Sequence, residues 1–317
     1  MPMPQDRKPR ILCIGIPVRD LTFQIEALPV RGSKASASAY REIIGGNALN
    51  AAIAVSRLGG HASLAGPIGD SREASGTFLF DQLAQEGIDA RHLVPMAGLV
   101  TPVSSVMIEP DGERTIATFR DPALWMVCLP DTDLLLADCD AVLVENRCSD
   151  FAVELCAEAR RRGIPVIVGV DRPMASGDGL LAASSHLIFS SESLQATAGV
   201  ACDTEALAAL AAQTPSFLAG TRGPRGTLWL RDGRLRETPA FAVESVDTLG
   251  AGDIFHGAFS LAVTEGRSPE DALRFASAAA ALKCARHGGA FACPQRAEVE
   301  QFLGDTGRYG PATDGLT

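Results

Sequence analysis

The sequence predicts an α/β protein with a mostly parallel central sheet and a small antiparallel β lobe. Over most of the chain, short apolar runs typical of buried strands alternate with alanine-rich amphipathic segments typical of helices. This alternation favours a parallel sheet covered on both faces. Two segments, at about 20–44 and 101–119, alternate apolar with polar residues instead, as strands with one wet face do. With 317 residues, we expect a single domain spanning 1–317, in which the lobe forms a lid over the carboxyl ends of the strands.

The elements of the first half follow from apolar periodicity and from the positions of glycines. The predicted order is a strand at 11–16, a helix that opens after Gly45-Gly46-Asn47 and ends at Gly59-Gly60, a strand at 61–66 and a helix at 77–86. In the lobe, the alternating runs 103–108 and 114–119 flank Pro110-Asp111-Gly112, which is a strong hairpin signal.

The second half has the regular rhythm of βαβ units. The predicted strands lie at 141–144, 165–170, 186–189 and 216–220, with helices at 151–162 and 204–213. A second hairpin is predicted around Asp232-Gly233, and two alanine-rich helices at about 252–265 and 269–286 follow it. The Gly- and Thr-rich tail after Leu303 is expected to be frayed.

Bulk properties exclude several classes of function. The formal charge of −10 argues against nucleic acid or an anionic membrane as partner. No apolar run reaches the length of a membrane span, and the basic start resembles a first buried strand more than a signal peptide. The eight cysteines show no CxxC pair and no zinc spacing, as expected for core thiols in a reducing compartment, so we expect a cytoplasmic protein.

The most informative stretch is 246–259, VDTLGAGDIFHGAF. Gly250-Ala251-Gly252 allows a tight turn before an apolar helical run, and the unpaired N–H groups at a helix start suit a phosphate group. Asp253 would then lie beside the bound anion, where a carboxylate suits a general base for an attacking hydroxyl. The alternative is a glycine-rich turn in which Asp253 is only a helix-start residue.

A second motif, GGNALNAA near residue 45, accompanies DTLGAGDIF near residue 247. Their order and separation resemble the PfkB (ribokinase-like) family of sugar and nucleoside kinases, over about residues 10–303. The resemblance implies a ribokinase-like three-layer α/β/α fold, with Asp253 as catalytic base and the amides of Gly250, Ala251 and Gly252 as the anion hole for the transferred phosphoryl group. It also implies ATP and Mg²⁺ as cofactors, with K⁺ as a candidate monovalent cation near Asp247.

The same resemblance distributes the binding residues along the chain. It implies sugar contacts at Asp20, Gly45, Gly46 and Asn50, and nucleotide contacts at Thr221, Gly223, Gly226, Gly288 and Gly289. Two further sugar-side candidates come from position. Asn47 lies inside the Gly-Gly loop, and Arg147 follows a central strand at the end where ligands bind in such sheets. These candidates also have structural interpretations. Arg147 could instead form an ion pair with Asp150 or Glu145, and the Asn50 side chain could instead face solvent.

One segment departs from the family pattern. Where many members carry N-x-x-E, this chain has Ser190 and Ser193, with Glu192 one residue early. We therefore expect no direct protein ligand for Mg²⁺, which would be held mainly by the phosphates of ATP.

The substrate is less well determined than the reaction. The GIPVRD, GERTI, FHGA and ALKCARHGG segments are similar to sulfofructose kinases and ketohexokinases. We therefore expect phosphorylation of a primary hydroxyl of a ketohexose or a sulfofructose-like ketose. Ribokinase, 2-keto-3-deoxygluconate kinase and nucleoside kinase activities are the alternatives within the family.

The motifs disfavour two functional classes other than a kinase. A dehydrogenase is disfavoured because no GxGxxG follows the first strand, and a non-catalytic sugar sensor would have no use for an intact GAGD. The exposed edges of a small open sheet make a homodimer through the lid an expectation.

Overall fold

The computed structural model describes residues 7–70, 74–110 and 113–306. Its strands are β1 (Arg10–Ile14), β2 (Val18–Gln24), β3 (Ala39–Gly45), β4 (His61–Ile68), β5 (Asp89–Pro95), β6 (Val103–Ile108), β7 (Arg114–Phe119), β8 (Ala141–Glu145), β9 (Val166–Val170), β10 (His186–Ser190), β11 (Phe217–Thr221), β12 (Thr227–Arg231) and β13 (Arg234–Thr238). Its α-helices are α1 (Asn47–Arg57), α2 (Ala74–Gln85), α3 (Thr132–Leu136), α4 (Ser149–Arg161), α5 (Gly179–Ala183), α6 (Ser191–Ala198), α7 (Asp203–Ala211), α8 (Ala251–Thr264), α9 (Pro269–Cys284) and α10 (Arg296–Thr306).

Nine of these strands form one large sheet in the order β13-β12-β11-β10-β9-β8-β1-β4-β5. All neighbours from β11 to β5 are parallel, and the hairpin of β12 and β13 adds an antiparallel edge. The central strands β8 and β9 are buried along their whole length, which is why they appear in the sequence as continuous apolar runs.

Helices cover both faces of this sheet. In β1, Ile11 and Cys13 pack into a cluster with residues of α1, α2, α8, α9 and α10. Leu12 and Ile14 point the other way, into a cluster with residues of α3 to α7. The period-two alternation of one buried strand therefore joins two cores, and the predicted three-layer α/β/α class is confirmed.

A second sheet of four strands, β3-β2-β6-β7, projects from the end of β1. Its outer pairs, β2 with β3 and β6 with β7, are antiparallel, while the central pair of β2 and β6 is parallel. The edge strand β7 is exposed along most of its length, whereas burial of one face had been predicted. The predicted turn residues Asp111 and Gly112 lie outside the described residues.

Among the described strands and α-helices, β5, α3, α5, α6 and α10 were not predicted. The edge strand β5 carries polar residues and buries only Leu93 deeply, so it lacks the apolar run that marks the interior strands. The helix α10 continues past Leu303 to Thr306, where a frayed tail had been expected. Among the described residues, no helix is long and apolar enough to cross a membrane. All eight cysteines are free thiols.

Candidate active site

The candidate residues gather where the parallel strands end and the small sheet begins. Glu145 ends β8, Asp171 directly follows β9, and Thr221 ends β11. Because the carboxyl ends of parallel strands lie at one edge of the sheet, these side chains share that edge with the start of α8.

Asp253 lies in the first turn of α8 and contacts Asn50 of α1. The Asn50 Nδ2 donates a hydrogen bond of 2.8 Å to Asp253 Oδ2. This contact joins two motifs whose residues are 203 positions apart in the chain. It places the predicted base and a predicted sugar-binding residue in one cleft, although their roles stay predictions.

The turn before Asp253 has the backbone expected of an anion site. Gly250 caps α8 with φ 75°, a conformation that strongly favours glycine. The first helical hydrogen bond runs from Ile254 N–H to the Gly250 carbonyl at 2.9 Å, so the amides of Gly252 and Asp253 precede the helical ladder. The Ala251 amide differs, because it donates to the Thr248 carbonyl at 3.2 Å. Gly250 and Gly252 therefore remain the better candidates among the three predicted amides.

The pKa of Asp253 is raised to about 7. Burial in the cleft is the main cause, and the negative charges of Glu145 and Asp171 add to it, while the hydrogen bond from Asn50 acts in the opposite direction. A carboxylate with a pKa near neutrality can accept a proton from a hydroxyl and release it afterwards.

The rate of phosphoryl transfer should therefore depend on pH. Because a general base must be deprotonated, kcat/KM for the sugar should fall as pH drops through about 7 and reach a plateau above it. Initial rates between about pH 5.5 and 9, with ATP and Mg²⁺ saturating, would measure this. A profile that stays flat down to about pH 5.5 would contradict a base with the raised pKa of Asp253.

On the sugar side, Asp20 lies on β2 between Gly45 and Ser104. Its Oδ2 is so close to Gly45 that a Cβ there would overlap it, so glycine at this position makes room for the carboxylate. Burial raises the pKa of Asp20 to about 6, against the opposing effects of the Ser104 hydrogen bond and the Arg120 charge. Asp20 is therefore a strand residue of the small sheet, not part of a turn.

The Gly-Gly loop brings Asn47 to the same edge. Gly46 caps α1 with φ 104°, and a Cβ there would lie 2.6 Å from the Ile16 carbonyl oxygen. This close approach fixes the start of α1, where Asn47 Nδ2 donates a hydrogen bond of 2.9 Å to Asp171 Oδ2.

Arg147 is already paired with carboxylates on two sides. Its Nε lies 2.7 Å from Glu145 Oε2, and its Nη2 contacts Asp171, while the Arg147 side chain is only 8% exposed. Glu145 also accepts a hydrogen bond of 2.8 Å from the Ile16 amide. The alternative pairing with Glu145 is thus present in the structure, together with Asp171, which was not predicted.

The predicted nucleotide-side glycines have structural contacts of their own. Gly226 has φ 80°, and a Cβ there would overlap the Thr238 carbonyl at the β12–β13 hairpin. The amides of Gly288 and Gly289 donate hydrogen bonds of 3.0 and 2.9 Å to Asp247 Oδ2. Thr221 Oγ1 bonds to the Phe189 carbonyl at 3.2 Å, and Gly223 begins the short turn after β11.

The residues at the altered N-x-x-E segment do not form a metal cage. Ser193 is buried and donates a hydrogen bond of 2.6 Å to the Val170 carbonyl, and Ser190 caps α6. Glu192 is exposed. Within the described part of the chain, no group of three or more His, Cys, Asp or Glu side chains could hold a metal ion. That Mg²⁺ is held mainly by the phosphates of ATP, with several waters kept, stays a prediction.

Asp171, Arg120 and Lys283 lie in this region but were not predicted as site residues. Asp171 directly follows a buried parallel strand, and that position could have identified it. Arg120 follows the exposed strand β7, and Lys283 lies in an ordinary helical pattern, so only the fold brings them to the site.

Comparisons with known proteins identify the family of the chain. The pfkB family carbohydrate kinase domain matches residues 8–296. The chain is 27% identical to a ribokinase from Bacillus subtilis, covering 92% of this chain and 99% of the relative. It is 26% identical to fructokinase-1 from Zea mays, covering 86% and 91%.

Solved structures of related proteins have the same fold as this chain. The structure of a candidate ribokinase from Agrobacterium tumefaciens has a TM-score of 0.90 at 34% identity, covering 96% of this chain and 100% of that one. Arabidopsis thaliana ribokinase, solved with ribose and ATP, has a TM-score of 0.83 at 25% identity, covering 94% and 99%. With a family domain that spans nearly the whole chain and the ribokinase fold around it, this protein belongs to the pfkB family of ATP-dependent carbohydrate kinases.

Proposed function

We propose that this kinase transfers the γ-phosphoryl group of ATP to a primary hydroxyl of a ketohexose or a sulfofructose-like ketose. The observation that carries the proposal is the Asn50–Asp253 contact at the start of α8, beside helix-start amides. It combines a base of raised pKa with an anion-binding helix terminus in one cleft.

The mechanism is a direct in-line transfer. Asp253 accepts the proton of the sugar hydroxyl while the amides of Gly250 and Gly252 stabilise the charge that develops on the phosphoryl group. Mg²⁺, when bound with ATP, neutralises charge on the phosphates. Because the transition state is loose, positioning by Asn50 and by the amides contributes more than the strength of the base.

The sugar would lie between the small sheet and the large one. Asp20 on β2 and Asn47 at the start of α1 flank the cleft and can bind hydroxyl groups, since both carry acceptor oxygens. The small sheet then acts as a lid that excludes water from the transfer.

Arg120 supports an acceptor that carries an anionic group. Its Nε is buried and has no hydrogen-bond partner within the described residues. Burial, with the nearby charges of Arg147 and Arg172, lowers the pKa of Arg120, although Glu145 and Asp20 oppose this shift. A sulfonate beside Arg120 would satisfy the buried donor and reduce the repulsion among the three guanidinium groups.

Ribose is a second candidate with comparable support. The relatives named above include ribokinases from two organisms, one of them solved with ribose. A neutral sugar offers no charge to Arg120, so the two candidates differ in what this residue contributes.

The test is a comparison of acceptors in wild type and Arg120→Gln. Release of ADP would be measured with fructose, sulfofructose, ribose and 2-keto-3-deoxygluconate. For a sulfonated acceptor, we expect Arg120→Gln to lower kcat/KM by about 10- to 100-fold, with little effect for neutral sugars. Arg234→Gln, on the exposed strand β13, is the matched control. Preference for ribose with no effect of Arg120→Gln would instead indicate a ribokinase.

The eight free thiols support a reducing compartment such as the cytoplasm. Exposed apolar side chains on the small sheet, Tyr40, Ile116 and Phe119, support a homodimer through the lid. Light scattering of the purified protein at micromolar concentration would detect a monomer if this is wrong.

A further inference from the structure

The carboxylate of Asp247 organises the loop that leads into α8. Its Oδ1 accepts a hydrogen bond of 2.8 Å from the Leu249 amide, and its Oδ2 accepts from the amides of Gly288 and Gly289. These bonds join the loop before Gly250 to the loop after α9. Burial favours a higher pKa for Asp247, but the amides and the charge of Lys283 outweigh it and lower the pKa.

Lys283, in the last turn of α9, also contacts Asp247. Its Nζ lies 2.5 Å from the Asp247 carbonyl oxygen and 3.2 Å from Oδ1. The Lys283 side chain is 0% exposed, which is rare for lysine unless the charge is paired. Burial lowers the pKa of Lys283, and the charge of Asp247 opposes this effect.

The family resemblance implies a monovalent cation near Asp247, and the residues present do not fit one. A cation there would bind the carbonyl and carboxylate oxygens of Asp247. Those oxygens already have a buried ammonium group against them, and an ammonium has the same charge as K⁺. A second cation at this place would be repelled by Lys283 in a region screened little by water.

We propose that Lys283 supplies from within the chain the positive charge that a bound monovalent cation would supply, so that this kinase works without K⁺. Lys283 acts as a positioning residue. It holds the Asp247 carbonyl, and Asp247 in turn holds the loops on both sides of the Gly250 turn. The inference rests on the proposed kinase function only for its effect on turnover.

The experiment compares KCl with tetramethylammonium chloride at equal ionic strength, since tetramethylammonium is too large to replace K⁺. Binding of ADP with Mg²⁺ would be measured by calorimetry, and unfolding temperature by thermal denaturation. For wild type, we expect the ADP Kd to change by less than about twofold between the two salts. Because neither measurement needs an acceptor sugar, a wrong substrate assignment would leave this result unchanged.

Lys283→Ala should create the cation dependence that wild type lacks. In tetramethylammonium chloride, we expect its ADP Kd to rise about 10-fold and its unfolding temperature to fall by about 5 °C. KCl should reverse both changes in part, because K⁺ can enter the space left by the ammonium group. If Lys283→Ala only weakened packing, its ADP Kd and unfolding temperature would be the same in both salts. Arg274→Ala, at an exposed position of the same helix, is the control and should behave as wild type in both salts.

Two results would overturn the inference. The first is wild-type protein whose ADP affinity rises more than about fivefold with K⁺. The second is a Lys283→Met variant, which keeps much of the side-chain volume, with wild-type ADP affinity and turnover in tetramethylammonium chloride.

Discussion

Asp253→Asn is expected to lower kcat by about 10²- to 10⁴-fold, the usual contribution of a positioned general base. The amide that replaces the carboxylate has nearly the same shape, and its oxygen can still accept the hydrogen bond from Asn50. Binding of ATP and sugar should therefore change little. Rates at saturating substrates, with KM values for both, would separate the loss of the base from a loss of binding.

The same substitution should make the protein more stable above neutral pH. The pKa of Asp253 is about 7 in the folded state, against an ordinary value of 3.8, so the folded protein resists losing this proton. That cost is absent below about pH 4 and grows until pH passes about 7. Since Asp253 keeps some contact with water, we expect Asp253→Asn to gain about 1–2 kcal/mol in unfolding free energy at pH 8.

The control is Asp81→Asn at an exposed position of α2, which should alter neither turnover nor stability. An Asp253→Asn variant with near-wild-type kcat would show that another group accepts the proton. A variant with low kcat but strongly reduced stability would instead point to loss of the folded site.

Arg147→Met should have the largest effect on stability, about 3–5 kcal/mol lower unfolding free energy. The substitution removes the charge that faces Glu145 and Asp171. Glu145 is then left buried with the hydrogen bond from the Ile16 amide and the charge of Arg120. Burial already raises the pKa of Glu145, and Arg147 lowers it. Chemical denaturation at neutral pH would measure the loss.

Arg162→Met makes the same change at a surface ion pair, where Arg162 contacts Asp133 and Glu158. Exposed pairs contribute little, so we expect a loss below about 1 kcal/mol. If Arg147→Met unfolds as wild type does but has a raised KM for the sugar, Arg147 binds substrate in the way the sequence predicted. The ion pairs of Arg147 with Glu145 and Asp171 would then contribute little to stability.

The fold was predictable because its signals are local. Each interior strand of the large sheet is a short apolar run, and each hairpin of the small sheet shows alternation within a few residues. The edge strand β5 was missed because one-sided burial leaves it polar. The parallel pairing of β2 with β6 was missed because no local pattern reports which strands become neighbours.

The sequence by itself determined the kinase family and the position of Asp253. Gly250, Gly252 and Asp253 lie within four consecutive residues, and the unpaired amides of a helix start can bind an anion wherever the helix lies in the fold. Only the tertiary structure decided what surrounds Asp253. The contacts of Asn50 with Asp253, Arg147 with Asp171 and Lys283 with Asp247 join residues from distant elements. Burial and charge at such contacts depend on which elements pack together. The spacing of residues along the chain does not show which elements become neighbours.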